Sequence, residues 1–221
     1  SSPRRSVSLT GTRGDGMANL VFFDQSHTYE VDGEPVPSVS EVTRFMSREI
    51  YGDITQFQLD NAAERGTAVH KALEVLDKYS EVEAAEDIVP YIKAYLAFRK
   101  DHPTEWKKIE YAVCHPDKLY AGTLDRYGTV DGMPTLLDFK TTSSIDPAHR
   151  HLYTAAQNLY RRALPEDMPV EQILILQLKK DGTYKLFNLD IDDKLADACL
   201  ALHLALKKKK RKRKDSANDN C

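Results

Sequence analysis

The sequence predicts an α/β fold in which a mixed central β-sheet is flanked by helices, and three observations carry that expectation. Asp-Gly pairs at Asp32-Gly33, Asp131-Gly132 and Asp181-Gly182 each stand between strand-like segments, a strong local signal for a β-hairpin. Residues 56–79 (QFQLDNAAERGTAVHKALEVLDKY) carry helical periodicity: Ala62, Gly66, Val69, Leu73 and Leu76 form one stripe, with Ala63, Thr67, His70, Glu74 and Asp77 beside it. Helical and strand-like segments then alternate to the end, which suits a sheet covered by helices with strands of mixed direction.

Taken in order, residues 1–19 are Ser/Gly/Arg-rich without periodicity and are expected to be an unstructured leader. Residues 22–36 read as a short hairpin turning at Asp32-Gly33. Ser38 with Glu41 three residues later has the form of a capping box that starts a helix. The 56–79 helix follows, then another over 88–100, and a strand over 109–115 (IEYAVCH). The Asp131-Gly132 hairpin comes next, then a helix over 154–164 and a second hairpin over 172–191. A last helix begins at Asp192 and runs through Leu195, Cys199, Leu202 and Leu206.

Length and composition suit one domain over residues 20–206. A hydrophobic content of 41% and a charged content of 29% are ordinary for a globular chain. No apolar run approaches the roughly 20 residues that span a bilayer, and no secretory leader is apparent. Cys114, Cys199 and Cys221 lack the spacing of a zinc or iron–sulfur site. A cytoplasmic setting is expected.

The net charge of −3 conceals a division. Lys207, Lys208, Lys209, Lys210, Arg211, Lys212, Arg213 and Lys214 supply 8 of the 31 basic residues. Residues 1–206 therefore hold 23 basic against 32 acidic groups, a net of −9. An acidic body with a basic end argues against nucleic acid wrapping the whole surface. It allows a local acidic, metal-using site and a separate cationic tether. Residues 207–221 are expected to be a flexible tail. The cationic run reads either as a DNA tether making salt-sensitive phosphate contacts or as a solvated tail.

The chemistry is concentrated in TLDRYGTVDGMPTLLDFK, residues 123–140. If Asp131 and Gly132 form a two-residue turn, Val130 faces Met133 and Asp125 faces Asp138. Carboxylates so paired would have Cβ atoms about 4.5–5.5 Å apart, where like charges destabilise a sheet. A divalent cation removes that conflict, and Mg²⁺ is typically held by one or two carboxylates plus waters and phosphates. Along Asp138-Phe139-Lys140, alternation puts Asp138 and Lys140 on one face and turns Phe139 to the other. Two carboxylates and an ammonium are the parts that metal-assisted phosphodiester hydrolysis needs. The competing reading is a surface salt bridge; the apolar lead-in of residues 135–137 argues against it.

These residues resemble the signature of the PD-(D/E)XK nuclease superfamily. ERGTAVHKALEVL (64–76) is similar to the GTxxHxxLE helix of the RecB-like exonuclease branch, AGTLDRYG (121–128) to its GxxD strand, and LLDFKTT (136–142) to its DxKT strand. AAQNLYRRAL (155–164) is similar to its Q-x-x-x-Y helix, although Gln157 and Tyr160 are three residues apart where the family commonly has four. Either spacing keeps both on one helical face. The resemblance implies a restriction-endonuclease-like core and a stand-alone, phage-type nuclease. It implies Asp125, Asp138, His70 and the Phe139 carbonyl as ligands for Mg²⁺ or Mn²⁺. Lys140 would orient or activate the attacking water, with Gln157 and Tyr160 in support or touching DNA.

Glu110 stands where relatives often carry an acidic residue, with a solvated charge as the alternative. Glu74 would support His70 or simply pair along its helix. Tyr111, Tyr120 and Tyr127 would either stack on bases or fill a half-buried sheet. His149, Arg150 and His151 are expected in a loop that could meet phosphates. The activity implied is a metal-dependent deoxyribonuclease, an exonuclease acting in recombination, repair or phage DNA processing. A non-catalytic nucleic-acid-binding module and a sequence-specific endonuclease remain as alternatives. Expected partners are DNA with ends and a recombination protein, without a membrane.

Overall fold

A computed structural model describes residues 4–8, 19–23, 26, 28–52 and 56–218. Its centre is a five-stranded sheet in chain order: β5 (Thr104–Cys114), β6 (Ala121–Val130), β7 (Met133–Lys140), β8 (Gln172–Leu178) and β9 (Tyr184–Leu189). β7 and β8 are parallel and the other neighbours antiparallel, so the sheet is mixed. A parallel pair needs a crossover, and α5 (Pro147–Ala163) provides it.

Helices cover both faces. On one face, α3 (Gln56–Tyr79) and α4 (Val89–Asp101) bring Val69, Leu73, Tyr95 and Phe98 against Leu137, Phe139, Leu174 and Leu176. On the other, α1 (Val39–Val42), α5 and α6 (Asp193–Asn218) pack Val39, Leu159, Ala196 and Leu200 against Val113, Tyr127 and Leu136. Every residue of β8 is buried, as the apolar run Ile173–Leu176 at its centre requires of a strand covered on both faces. Tyr120 and Tyr127 are buried and Tyr111 packs beside them, so these tyrosines fill the core.

The turns follow the local chemistry. Asp131 (φ +52°) and Gly132 (φ +81°) both take the left-handed conformation that a two-residue hairpin turn demands. The register is the expected one, from Val130↔Met133 to Arg126↔Leu137. Ser38 caps α1 through Glu41 N–H while the Glu41 carboxylate accepts from Ser38 N–H, the reciprocal pair read from the sequence. α2 (Arg44–Tyr51) follows directly.

Three expectations are corrected. Arg4–Ser8, placed in an unstructured leader, forms β1 and pairs with β2 (Asn19–Phe23). With β3 (Thr28–Val31) and β4 (Glu34–Val36) these strands make a second, four-stranded antiparallel sheet, whose Leu20, Tyr29 and Val31 pack on Ala112 and Ala121. His149, Arg150 and His151 lie not in a loop but in the first turns of α5. Asp146 caps that helix by accepting from His149 N–H, and Pro147 opens it. The basic run, expected as a tail separate from the last helix, shares that helix's backbone. α6 continues through it to Asn218, with no Gly or Pro to end it. Side chains 208–214 lie outside the described residues. No helix among the described residues is long and apolar enough to cross a membrane.

Candidate active site

The site forms where β5, β6 and β7 stop behaving as a regular sheet. Arg126 pairs with Leu137, but the next rung, Asp125 with Asp138, is missing from the ladder. Asp125 Oδ2 instead accepts the Phe139 N–H at 2.8 Å. Side-chain alternation breaks at the same place. Leu124 and Tyr127, three residues apart, share one core cluster, while Arg126 lies 4.9 Å from the Phe139 ring on the other face. Glu110 on β5 has φ +47°, a conformation costing about 1–3 kcal/mol and common at functional sites. It lies between residues paired with Arg126 and Leu124, hence opposite Asp125. Two matched irregularities thus aim Glu110 and Asp125 at a common point beyond the ladder.

α3 brings His70 to that point. Its Nδ1 lies 3.5 Å from Asp125 Oδ1 and 3.9 Å from Glu110 Oε1, and its ring meets the Phe139 ring edge-on at 5.7 Å. One potential ligand atom from each of His70, Glu110 and Asp125 lies within 4.8 Å of the others. Asp138 stands outside this trio and faces α5. Its Oδ1 accepts from Gln157 Nε2 at 3.0 Å, and its Oδ2 makes a 2.5 Å ion pair with Lys140 Nζ. That Oδ2 is otherwise buried without a hydrogen bond among the described residues. Lys140 Nζ also sits 5.0 Å from the centre of the Tyr153 ring, whose hydroxyl is 3.5 Å from that of Tyr51.

Electrostatics tie these groups together. Burial alone would lower the His70 pKa, but Asp125 and then Glu110 outweigh it and raise the value to about 9. Burial would raise Asp125; His70, Lys140 and the Phe139 N–H reverse that and hold it at about 2. For Glu110, burial and repulsion from Asp125 prevail over His70 and Arg126, giving about 7. Asp138 is also raised, first by burial. Burial would lower Lys140, but Asp138 and Asp125 keep its ammonium above the ordinary value.

Sequence reasoning missed the support beneath the trio. Arg126 is fully buried and donates from Nε to Asp77 Oδ2 at 2.8 Å, and from Nη1 to Glu110 Oε1 at 3.2 Å and to the Asp125 carbonyl at 2.7 Å. Asp77 also accepts from Tyr95 Oη at 2.8 Å and from Arg99 at 3.0 Å. The available signal was Asp77, two turns along the His70 stripe of α3. Glu74, between them, is committed to Lys71 and Lys78 at 3.0 and 2.5 Å, the along-helix alternative. Tyr160 packs over Gly122, where a Cβ would come within 2.6 Å of its ring. It lies close enough to Asp138, Asp125 and Glu110 for their charge to raise its pKa, after burial.

No family model matches the chain, and no curated protein matches it. Among solved structures, the fold is similar to an alkaline exonuclease from Laribacter hongkongensis, with TM-score 0.42 and 14% identity over 83% of this chain and 92% of that one.

Proposed function

We propose that this chain is a divalent-metal-dependent deoxyribonuclease, most simply an exonuclease acting on DNA ends. The observation that carries this reading is the meeting of His70, Glu110 and Asp125 beside the Asp138–Lys140 pair, on strands whose regular pairing gives way there. Its donor chemistry suits Mg²⁺ or Mn²⁺: two carboxylates and an imidazole within reach of one another, and beside them a third carboxylate whose buried Oδ2 is paired with Lys140. His70, Glu110 and Asp125 would hold the ion, with Asp138 and the Phe139 carbonyl completing its protein ligands. A bound ion would supply Lewis acidity, polarising a phosphoryl oxygen and lowering the pKa of a water.

The chain's own residues do the rest. Lys140, fixed between Asp138 and the Tyr153 ring, offers a charged ammonium to the negative charge that develops on the phosphoryl group. Gln157 orients Asp138 through Oδ1 and leaves Oδ2 toward Lys140. Arg126 holds Glu110 and the Asp125 backbone in place, so the carboxylates keep their positions as a substrate arrives.

The test is digestion of end-labelled linear DNA, single- and double-stranded, with Mg²⁺, with Mn²⁺ or with EDTA, alongside Lys140→Ala. Metal-dependent release of nucleotides that disappears in the variant is the expected result. Retained DNA binding without cleavage of any substrate would make the chain a non-catalytic binding module instead. Cleavage of closed circles at discrete sites would identify an endonuclease.

A further inference from the structure

A groove of about 710 Å³ opens between the N-terminal sheet, α2 and the exposed end of α6, within the size range of pockets that enclose small ligands. Its walls combine Tyr29, Phe45 and Leu206 with three cations, Arg44, Arg48 and Lys207. α2 is built for two tasks. Met46, Ile50 and Tyr51 pack inward against the cores, which leaves Arg44, Phe45 and Arg48 exposed on the outer side. Arg44 pairs with Glu41 at 3.5 Å, the acidic residue of the lining, while Arg48 has no ion-pair partner among the described residues.

Two of the elements that line the groove also reach the candidate active site. α2 is about 12 Å long and ends at Tyr51, beside the Tyr153 ring that carries Lys140. Tyr29 donates to or accepts from Thr123 at 3.0 Å, two residues before Asp125. Tyr160 stands close enough to both Tyr29 and the carboxylates to feel their charge. At its other end the groove meets Lys207, the first of eight successive cations on α6.

Apolar and aromatic walls carrying Arg44, Arg48 and Lys207 against the single carboxylate of Glu41 suit a ligand with flat apolar faces and a regular anionic backbone. An acidic body of net −9 over residues 1–206 would repel a polyanion in general, whereas this face offers it three cations that lead to the basic run of α6. We propose that the groove binds an unpaired stretch of single-stranded DNA, with phosphates on Arg44, Arg48 and Lys207 and a base stacked on Phe45. This deepens the nuclease reading and rests on it for the identity of the ligand.

Binding is measured in EDTA, so the result does not depend on hydrolysis. Fluorescein-labelled oligo-dT is titrated against wild type, Phe45→Ala, Phe45→Leu, Arg48→Gln and Lys100→Gln, whose lysine is exposed on α4 across the sheet. Both Phe45 variants should weaken binding at least about fivefold, the lower end for loss of one stacked base. Arg48→Gln should weaken it and reduce the slope of log affinity against log salt by about 0.7, the value for one single-strand phosphate contact. Lys100→Gln should bind as wild type, and melting curves confirm that each variant is folded.

Affinities and salt slopes equal to wild type in both Phe45 and Arg48 variants would overturn the proposal. Poly-glutamate bound as tightly as the oligonucleotide, and lost equally in those variants, would overturn it in favour of an acidic protein partner. Groove-dependent binding without cleavage in Mg²⁺ would remove the nuclease reading and leave the groove. Cleavage with groove variants that bind normally would do the reverse.

Discussion

The two carboxylate groups of the candidate site are held in opposite ways. Glu110 and Asp125 rest on a buried ionic lattice, in which Arg126 joins them to Asp77, and Asp77 in turn to Tyr95 and Arg99. Asp138 hangs on two contacts, the Gln157 amide and the Lys140 ammonium. The first group lies among core residues of α3 and α4, so its partners serve the fold as much as the site. The second is buried as well but depends on fewer partners, and one of them, Lys140, keeps part of its side chain exposed. Stability and chemistry should therefore separate: damage on the Arg126 side is felt first as unfolding, and damage on the Lys140 side as lost turnover.

The largest effect should come from Arg126→Met. It removes the fully buried cation that Asp77 and Glu110 share, leaving Asp77 only the Arg99 cation at the surface, and should destabilise the protein by about 3–5 kcal/mol. Urea melts check this, and a loss under 1 kcal/mol would mean the lattice is dispensable. Lys140→Ala should sharpen the contrast from the other side, with hydrolysis falling by about 10²–10³-fold while stability falls by less than in Arg126→Met. Equal losses of stability in the two variants would erase the distinction between the groups.

Gln157→Leu keeps the volume near Asp138 but removes its orienting donor. A fall of about 10–100-fold in apparent metal affinity is expected, read from the Mg²⁺ dependence of cleavage. A titration curve indistinguishable from wild type would show that Asp138 needs no orientation from α5.

The His70 contact also has a pH signature in metal-free protein. Its folded pKa, about 9, lies above the ordinary 6.5, because Asp125 and Glu110 overcome the effect of burial. The stability this contributes is fully present below pH 6.5 and is lost as pH rises through about 9. NMR titration in EDTA should give that value, and Asp125→Asn should move it downward. A His70 pKa near 6.5 in the unaltered chain would mean the trio is more open than its distances indicate.

The smallest effect belongs to Glu74→Gln. Burial raises the Glu74 pKa, but hydrogen bonds from Lys78 and Lys71 overcome it and hold it below the ordinary 4.5. Its contribution is thus present above pH 4.5 and disappears as pH falls through the lower folded value. With partners that are largely solvated, about 0.5 kcal/mol is expected from thermal melts at pH 7, with no change in cleavage. A large loss of cleavage would place Glu74 in the site after all.

Local chemistry by itself determined the Asp131-Gly132 turn, the register of β6 on β7, the Ser38 capping box and the Asp138–Lys140 face. Each depends on dihedral preferences and hydrogen bonds among residues a few positions apart, and a sequence states these directly. The start of α5 is legible too, since Asp146-Pro147 is a cap followed by a first-turn proline. Only the tertiary structure decided that Glu110 would join His70 and Asp125, that Arg126 and Asp77 would lie beneath them, and that Asp138 would stand apart. A left-handed Glu110 and a break in alternation at Asp125 are unfavourable locally, and nothing in the neighbouring residues announces them. They persist because α3, 40 residues earlier, packs its His70 and Asp77 against those strands and supplies the opposite charge that makes the irregular backbone the stable one.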